Sequence, residues 1–355
     1  MTPLLRTLVV ASAVACASTD DPTPSGTTVA DTVADTEGET DVASDSDLPM
    51  PDFGCPDTPP SAVVPYESRF QTVLGSEMHF YEAGSPDDPV VLLLHGLPVS
   101  AYFWRNVMPY LEDGHHVIAL DHIGFGKSAR PDGLTYGLED QVAYLDAFIQ
   151  AKGLEDLTLV GQDLGSWTAM TWASRNPDEV RAIALVEGIV PPLLPASTAT
   201  TDPNLLGIWQ AARDPATAEQ MFVDDHFFLE TVLPQFTACG PTDEALAVYA
   251  EPWSDPASRH ILYATPAEIP IDGVPATHVE TIDAYIDWIG TTDVPKLFVH
   301  ASPGALMTAD VIAGAKAEMR NLTTVDIGGG IHFLAESKPD AVGAALSSWL
   351  DAELP

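Results

Sequence analysis

The chain has 355 residues, 46% of them hydrophobic, and carries 52 acidic against 14 basic side chains for a formal net charge of −38. Binding nucleic-acid phosphates takes a cationic face, so this balance excludes a nucleic-acid partner. Eleven acids and Arg6 lie in the first sixty residues, which leaves −28 on residues 61–355: the part long enough to bury a self-supporting core is itself strongly acidic.

The opening "MTPLLRTLVVASAVAC" sets Arg6 before a short apolar run, the layout of a secretory signal, and is shorter than the roughly 20 residues that span a bilayer. Ala13, Val14 and Ala15 before Cys16 fit a lipoprotein box, in which Cys16 is acylated, although Ala13 stands where such boxes usually have Leu. They fit a plain A-x-A cleavage site as well, and both readings mean export. One acyl chain would tether the protein to a membrane surface without inserting the fold. Residues 17–60 lack Lys and Arg, show no apolar periodicity and are expected to form an acidic, solvated tether. Cys55 and Cys239 then remain, either for one disulfide or as two buried thiols. No Cys/His cluster calls for a metal.

From residue 61 on, apolar, β-rich runs alternate with helical patterns. Strands are expected at "FQTVLG", "EMHFYEAG", "PVVLLLHG", "HHVIALDH", "LTLVGQ", "RAIALVEGIV", "PKLFVHA" and "LTTVDIGG". Several are apolar almost throughout, as strands covered on both faces are. Helices are expected near 102–111, 139–152, 165–176, 308–319 and 338–351, so the fold class is α/β with a doubly wound, mostly parallel sheet. The alternation breaks over about 191–290, where helical segments follow one another without strands. An insertion after a parallel strand belongs over the carboxyl ends of the sheet, where such folds bind ligands, so this stretch is expected to be a helical cap.

The chemistry concentrates at three strand ends. In "LTLVGQDLGSW" a strand runs into a G-x-D-x-G corner: Gly161 is expected to permit the sharp turn, Asp163 to occupy its apex and Gly165 to let the next helix pack close. A carboxylate presented there can attack carbon and form an ester, but Asp163 alone also fits an ordinary helix cap. "IALVEGIV" ends the next strand with Glu187, and "VDIGGGIHFLAE" presents His332 after three glycines. Either residue alone has a bland explanation, a buried ion-paired acid or a turn histidine. Together they follow the order nucleophile, acid, histidine used by this architecture. "GFGKS" lacks the upstream Gly of a phosphate loop, and no cofactor is expected.

From about Tyr66 to Leu350 the chain resembles the haloalkane dehalogenases of the α/β-hydrolase superfamily, in the branch whose catalytic acid is a Glu after the sixth strand. The resemblance rests on "HGLPVSAYFWRNVMPYLEDGHHVIALDHIGFGKSARPD", "YLDAFIQAKGLEDLTLVGQDLGSWTAMTWASRNPDEV", "LVEGIVPP", "PKLFVHASPGAL" and "GGGIHFLAESKPDAVG". It implies that Asp163 is the nucleophile, His332 the base and Glu187 the acid that orients it, with the backbone N–H groups of Leu97 and Leu164 as oxyanion hole. It implies a small apolar electrophile as substrate, and a monomer is expected. The family's two halide-binding side chains, a Trp after the nucleophile and an Asn in HGxP, are here Leu164 and Leu97, which have no donor. Trp209, Trp253 and Gln162 are candidate replacements. Two other readings stay open: an epoxide hydrolase of the same mechanism, with Tyr249, Tyr263 or Tyr285 as proton donor, and a tethered, non-catalytic binding protein.

Overall fold

The computed structural model describes residues 53–354. Among them, eight strands form one sheet: β1 (Arg69–Val73), β2 (Ser76–Ala83), β3 (Val90–Leu94), β4 (His116–Leu120), β5 (Leu157–Asp163), β6 (Val180–Gly188), β7 (Lys296–Pro303) and β8 (Leu322–Gly330). Their order is β1-β2-β4-β3-β5-β6-β7-β8. β1 and β2 run antiparallel to their neighbours, and the other six strands are parallel. Every strand overlaps one of the apolar runs singled out in the sequence.

The apolar runs are continuous because both faces are covered. Leu92, Leu94, Ile118, Leu120, Leu157, Leu159, Ile183 and Leu185 join one core cluster with side chains of α1 (Leu138–Lys152) and α2 (Leu164–Arg175). Their alternating neighbours Val91, Leu93, Val117 and Ala119 are equally buried on the opposite face. Each fully buried aliphatic side chain contributes roughly 1.5–3 kcal/mol, so these strands fix the sheet's register. The helices that follow are α3 (Pro203–Arg213), α4 (Asp243–Ala250), α5 (Ile261–Glu268), α6 (Ala276–Thr291), α7 (Ala309–Glu318) and α8 (Pro339–Glu353).

Four expectations change. The helix expected near 102–111 is two 3₁₀ turns, Ala101–Trp104 and Met108–Tyr110, the second containing Pro109, which lacks a backbone donor. The helical stretch at 218–233 is π-helical at Glu219–Asp224 and Phe228–Val232 and broken between them at His226, whose φ is +53°. The segment expected to close the cap, α6, instead packs against α2 and buries Ile282, Tyr285 and Ile289 in the sheet's core cluster. The cap is therefore shorter than 191–290. Finally, Phe53 is buried and Cys55 is disulfide-bonded to Cys239, so ordered structure begins within the stretch assigned to the tether. Cys16 and the rest of that stretch lie outside the described residues.

Candidate active site

The chain moves from β3 to β4 on one side and then crosses to β5 on the other, which makes the β3/β5 boundary the switch point of the sheet. Loops leaving the carboxyl ends of these two strands diverge and open a crevice. Asp163 ends β5 there, with φ +49° and ψ −121°. That conformation is strained for a residue with a Cβ and aims the carboxylate out of the sheet. The positive φ sits on Asp163 itself, and Gly161, expected to permit the turn, has none. Gly161 serves close approach: a Cβ on it would lie 2.6 Å from Ser166 Cα, and one on Gly165 would collide with the Leu94 carbonyl. The Asp163 side chain makes no N-cap hydrogen bond into the first turn of α2.

What the carboxylate does meet are the two expected backbone donors. The N–H of Leu97, just beyond β3, donates to Asp163 Oδ1 at 3.3 Å, and the N–H of Leu164 bonds the same carboxylate. Burial pushes the Asp163 carboxyl above its usual range, while His332 and these two N–H groups pull it back. The side chain keeps 15% exposure and so stays within reach of a small molecule.

The other two strand ends deliver the acid and the histidine. His332 Nε2 lies 3.7 Å from Asp163 Oδ2, and its Nδ1 lies 3.4 Å from Glu187 Oε2. Glu187 is fully buried at the end of β6 and accepts from the N–H groups of Ala305 (3.0 Å), Leu306 (2.9 Å) and Met307 (3.3 Å), which leave β7. Three backbone donors satisfy a carboxylate that would otherwise be costly to bury. All five residues read from the sequence thus meet at one place.

The candidate halide donors are bonded or packed elsewhere, except Gln162, whose amide lies against His332. The Trp253 indole N–H donates to the Pro98 carbonyl at 3.1 Å, Trp209 is packed in the same apolar cluster as Leu206 and Ile269, and both ends of the Gln162 amide are engaged. Of the tyrosines weighed for epoxide opening, one has its hydroxyl bonded elsewhere and the other two are placed by ring packing. Tyr249 donates to Glu336 at 2.6 Å, Tyr285 belongs to the sheet-side helix α6, and Tyr263 packs on Phe222.

Three features were not legible in the sequence. His95, fully buried, accepts the His122 N–H on Nε2 at 3.1 Å, which puts its proton on Nδ1 to donate to the Gly96 carbonyl at 2.7 Å and braces the donor loop. The Phe236 carbonyl, in the cap, accepts the N–H groups of His332 (3.0 Å) and Phe333 (3.2 Å). Arg105 forms a bidentate pair with Glu336, four residues past His332, at 2.7 and 2.8 Å. Only the "HG" step after a strand signalled any of these.

The sheet order and the elbow define an α/β hydrolase, and residues 89–339 match the alpha/beta hydrolase fold family. The chain is 35% identical over 300 residues to a haloalkane dehalogenase of Bradyrhizobium diazoefficiens, spanning 82% of this chain and 96% of that protein. It is 36% identical over 276 residues to one of Agrobacterium fabrum, spanning 78% and 89%. Among solved structures, haloalkane dehalogenase DbeA from Bradyrhizobium elkani superposes with a TM-score of 0.76 at 34% identity, covering 81% of this chain and 98% of that one. This chain belongs to the haloalkane dehalogenase family.

Proposed function

We propose that the protein hydrolyses small apolar haloalkanes to an alcohol and a halide, with Asp163 as nucleophile. The observation that carries this reading is the convergence on one carboxylate: Oδ1 faces the Leu97 N–H and Oδ2 faces the His332 imidazole. In the first step Oδ2 bonds to the substrate carbon as the carbon–halogen bond breaks and the halide leaves with the bonding pair. In the second, a water oxygen attacks Cγ of the ester and gives its proton to His332 Nε2, and negative charge gathers on Oδ1. The Leu97 N–H already points there and the Leu164 N–H bonds the same carboxylate, so both donors are at hand before the charge forms. Collapse breaks the Cγ–O bond to the alkyl group, the alcohol leaves with the proton held by His332, and the carboxylic acid returns its own proton to solvent. Glu187, fixed by three backbone bonds, stabilises the imidazolium while it exists.

Leu97 and Leu164 supply no side-chain donor to the departing halide, and each missing preorganised donor costs about 10²–10³ in rate. Bromide and iodide, which need less help to leave, are therefore the favoured leaving groups. Purified protein should release halide from 1-bromo- and 1-iodoalkanes, and Asp163→Ala should not. The variant His332→Phe should accumulate an alkyl ester on Asp163, seen by mass spectrometry. Turnover of epoxides with no halide release would overturn the reading.

We further propose export to the cell envelope, supported by the signal-like leader ending at Cys16 and by the Cys55–Cys239 disulfide, a bond that persists in oxidising compartments. Cys16→Ser should move the protein from the membrane fraction to the soluble fraction. Equal partition of both forms would remove the lipid anchor.

A further inference from the structure

We propose that Gln162 is the residue that holds His332 in its working tautomer, locking the base and the oxyanion loop into one unit. The Gln162 side chain is fully buried between two elements that topology brings together, the loop after β3 and the loop after β8. One end lies 3.0 Å from the backbone nitrogen of Gly96, and the other lies 2.9 Å from His332 Nε2. The Gly96 N–H can only donate, so the amide atom facing it must be the oxygen. The atom facing the imidazole is then the NH₂ group, which can only donate, so His332 Nε2 must accept. A ring nitrogen that accepts carries no proton, and the imidazole proton is left on Nδ1, facing Glu187 Oε2 at 3.4 Å.

This assignment has a chemical consequence. The acid–histidine contact alone is long, and both Nδ1–H and Nε2–H forms of a neutral imidazole are otherwise accessible. Gln162 removes the Nε2–H form, which has no lone pair to offer a water beside Asp163. It occupies that lone pair until the hydrolytic water takes its place. The charged groups facing the ring are Asp163 and Glu187. The amide bonds only the neutral ring. Alkylation of Asp163 does not use His332, so the effect falls on ester hydrolysis alone.

The test has two arms, of which only the kinetic one rests on the proposed function. In the first, heteronuclear NMR of the imidazole nitrogens of unmodified protein should find neutral His332 protonated at Nδ1 and bare at Nε2. A proton on Nε2 would overturn the inference whether or not the protein is a dehalogenase. In the second, Gln162→Glu, of the same shape, places an acceptor and a negative charge against Nε2. It should move the acid limb of the ester-hydrolysis rate upward by at least about one pH unit. Ester should accumulate on Asp163, seen by mass spectrometry. An unmoved acid limb would reduce Gln162 to packing and overturn the inference. If wild type forms no ester at all, the proposed function fails while the NMR arm still decides the role of Gln162.

Discussion

A single carboxylate shows the cost of the site at the residue scale. Asp163 is held in a strained backbone conformation and its carboxyl is raised by burial, so its ionised form works against folding. For an acid whose folded value lies above its unfolded one, the folded state binds more protons in the interval between the two. Stability therefore falls as pH rises through that interval and stays lower above it. Asp163→Asn removes the charge, keeps an acceptor for the Leu97 and Leu164 N–H groups, and tolerates a positive φ. Its melting temperature at neutral pH should exceed that of wild type while halide release vanishes. The gap should close as the pH is lowered below the ordinary Asp range, which parallel thermal melts at acid and neutral pH would show. A variant less stable than wild type at neutral pH would mean that hydrogen bonds to the charged form outweigh its desolvation.

At the scale of elements, four separate segments meet on one buried ion pair. Arg105, between the two 3₁₀ turns, pairs with Glu336 in the single turn Leu334–Ser337, takes Tyr249 of α4 as a neighbour on the same carboxylate, and donates from Nε to the Ser61 carbonyl at 2.7 Å. The turn carrying Glu336 begins two residues after His332, so this pair and the Phe236 carbonyl hold His332 from two sides. Arg105→Met leaves Glu336 buried without its partner and should cost about 3–5 kcal/mol, whereas Arg105→Met with Glu336→Leu should recover most of that loss. Urea midpoints of the two variants measure the difference. None of this was readable from sequence, because Arg105 and Glu336 are 231 positions apart and only the closed sheet brings them together. Asp163, Glu187 and His332 were readable because each sits where an apolar run stops, and a strand end is a local signal. The π-helical turns were not, since "AEQMFVDDHFFLETVL" has ordinary helical character and tertiary packing decided how it broke. The disulfide was an open choice until the fold set Cys55 beside Cys239. Replacing both with Ser should cost about 2–5 kcal/mol in the same urea experiment.

At the scale of the molecule, the excess of acid dominates. Fourteen basic side chains cannot pair 52 acidic ones, so most carboxylates repel one another, although ion pairs such as Arg175–Glu139 exist at the surface. Such repulsion opposes compactness and is relieved by screening, whose range shrinks from about 30 Å at 0.01 M salt to about 3 Å at 1 M. Melting temperature should therefore rise continuously with sodium chloride over that interval. The active site should respond differently, because a haloalkane has no charge to steer, so KM for a 1-bromoalkane should not change with salt. The product is an anion released into a negatively charged protein from a site with leucines at the two expected donor positions. Added bromide should consequently inhibit no more than the same concentration of chloride. Selective inhibition by bromide at low concentration would reveal a halide site built from other groups, and a melting temperature that falls with salt would show that the few ion pairs outweigh the net repulsion.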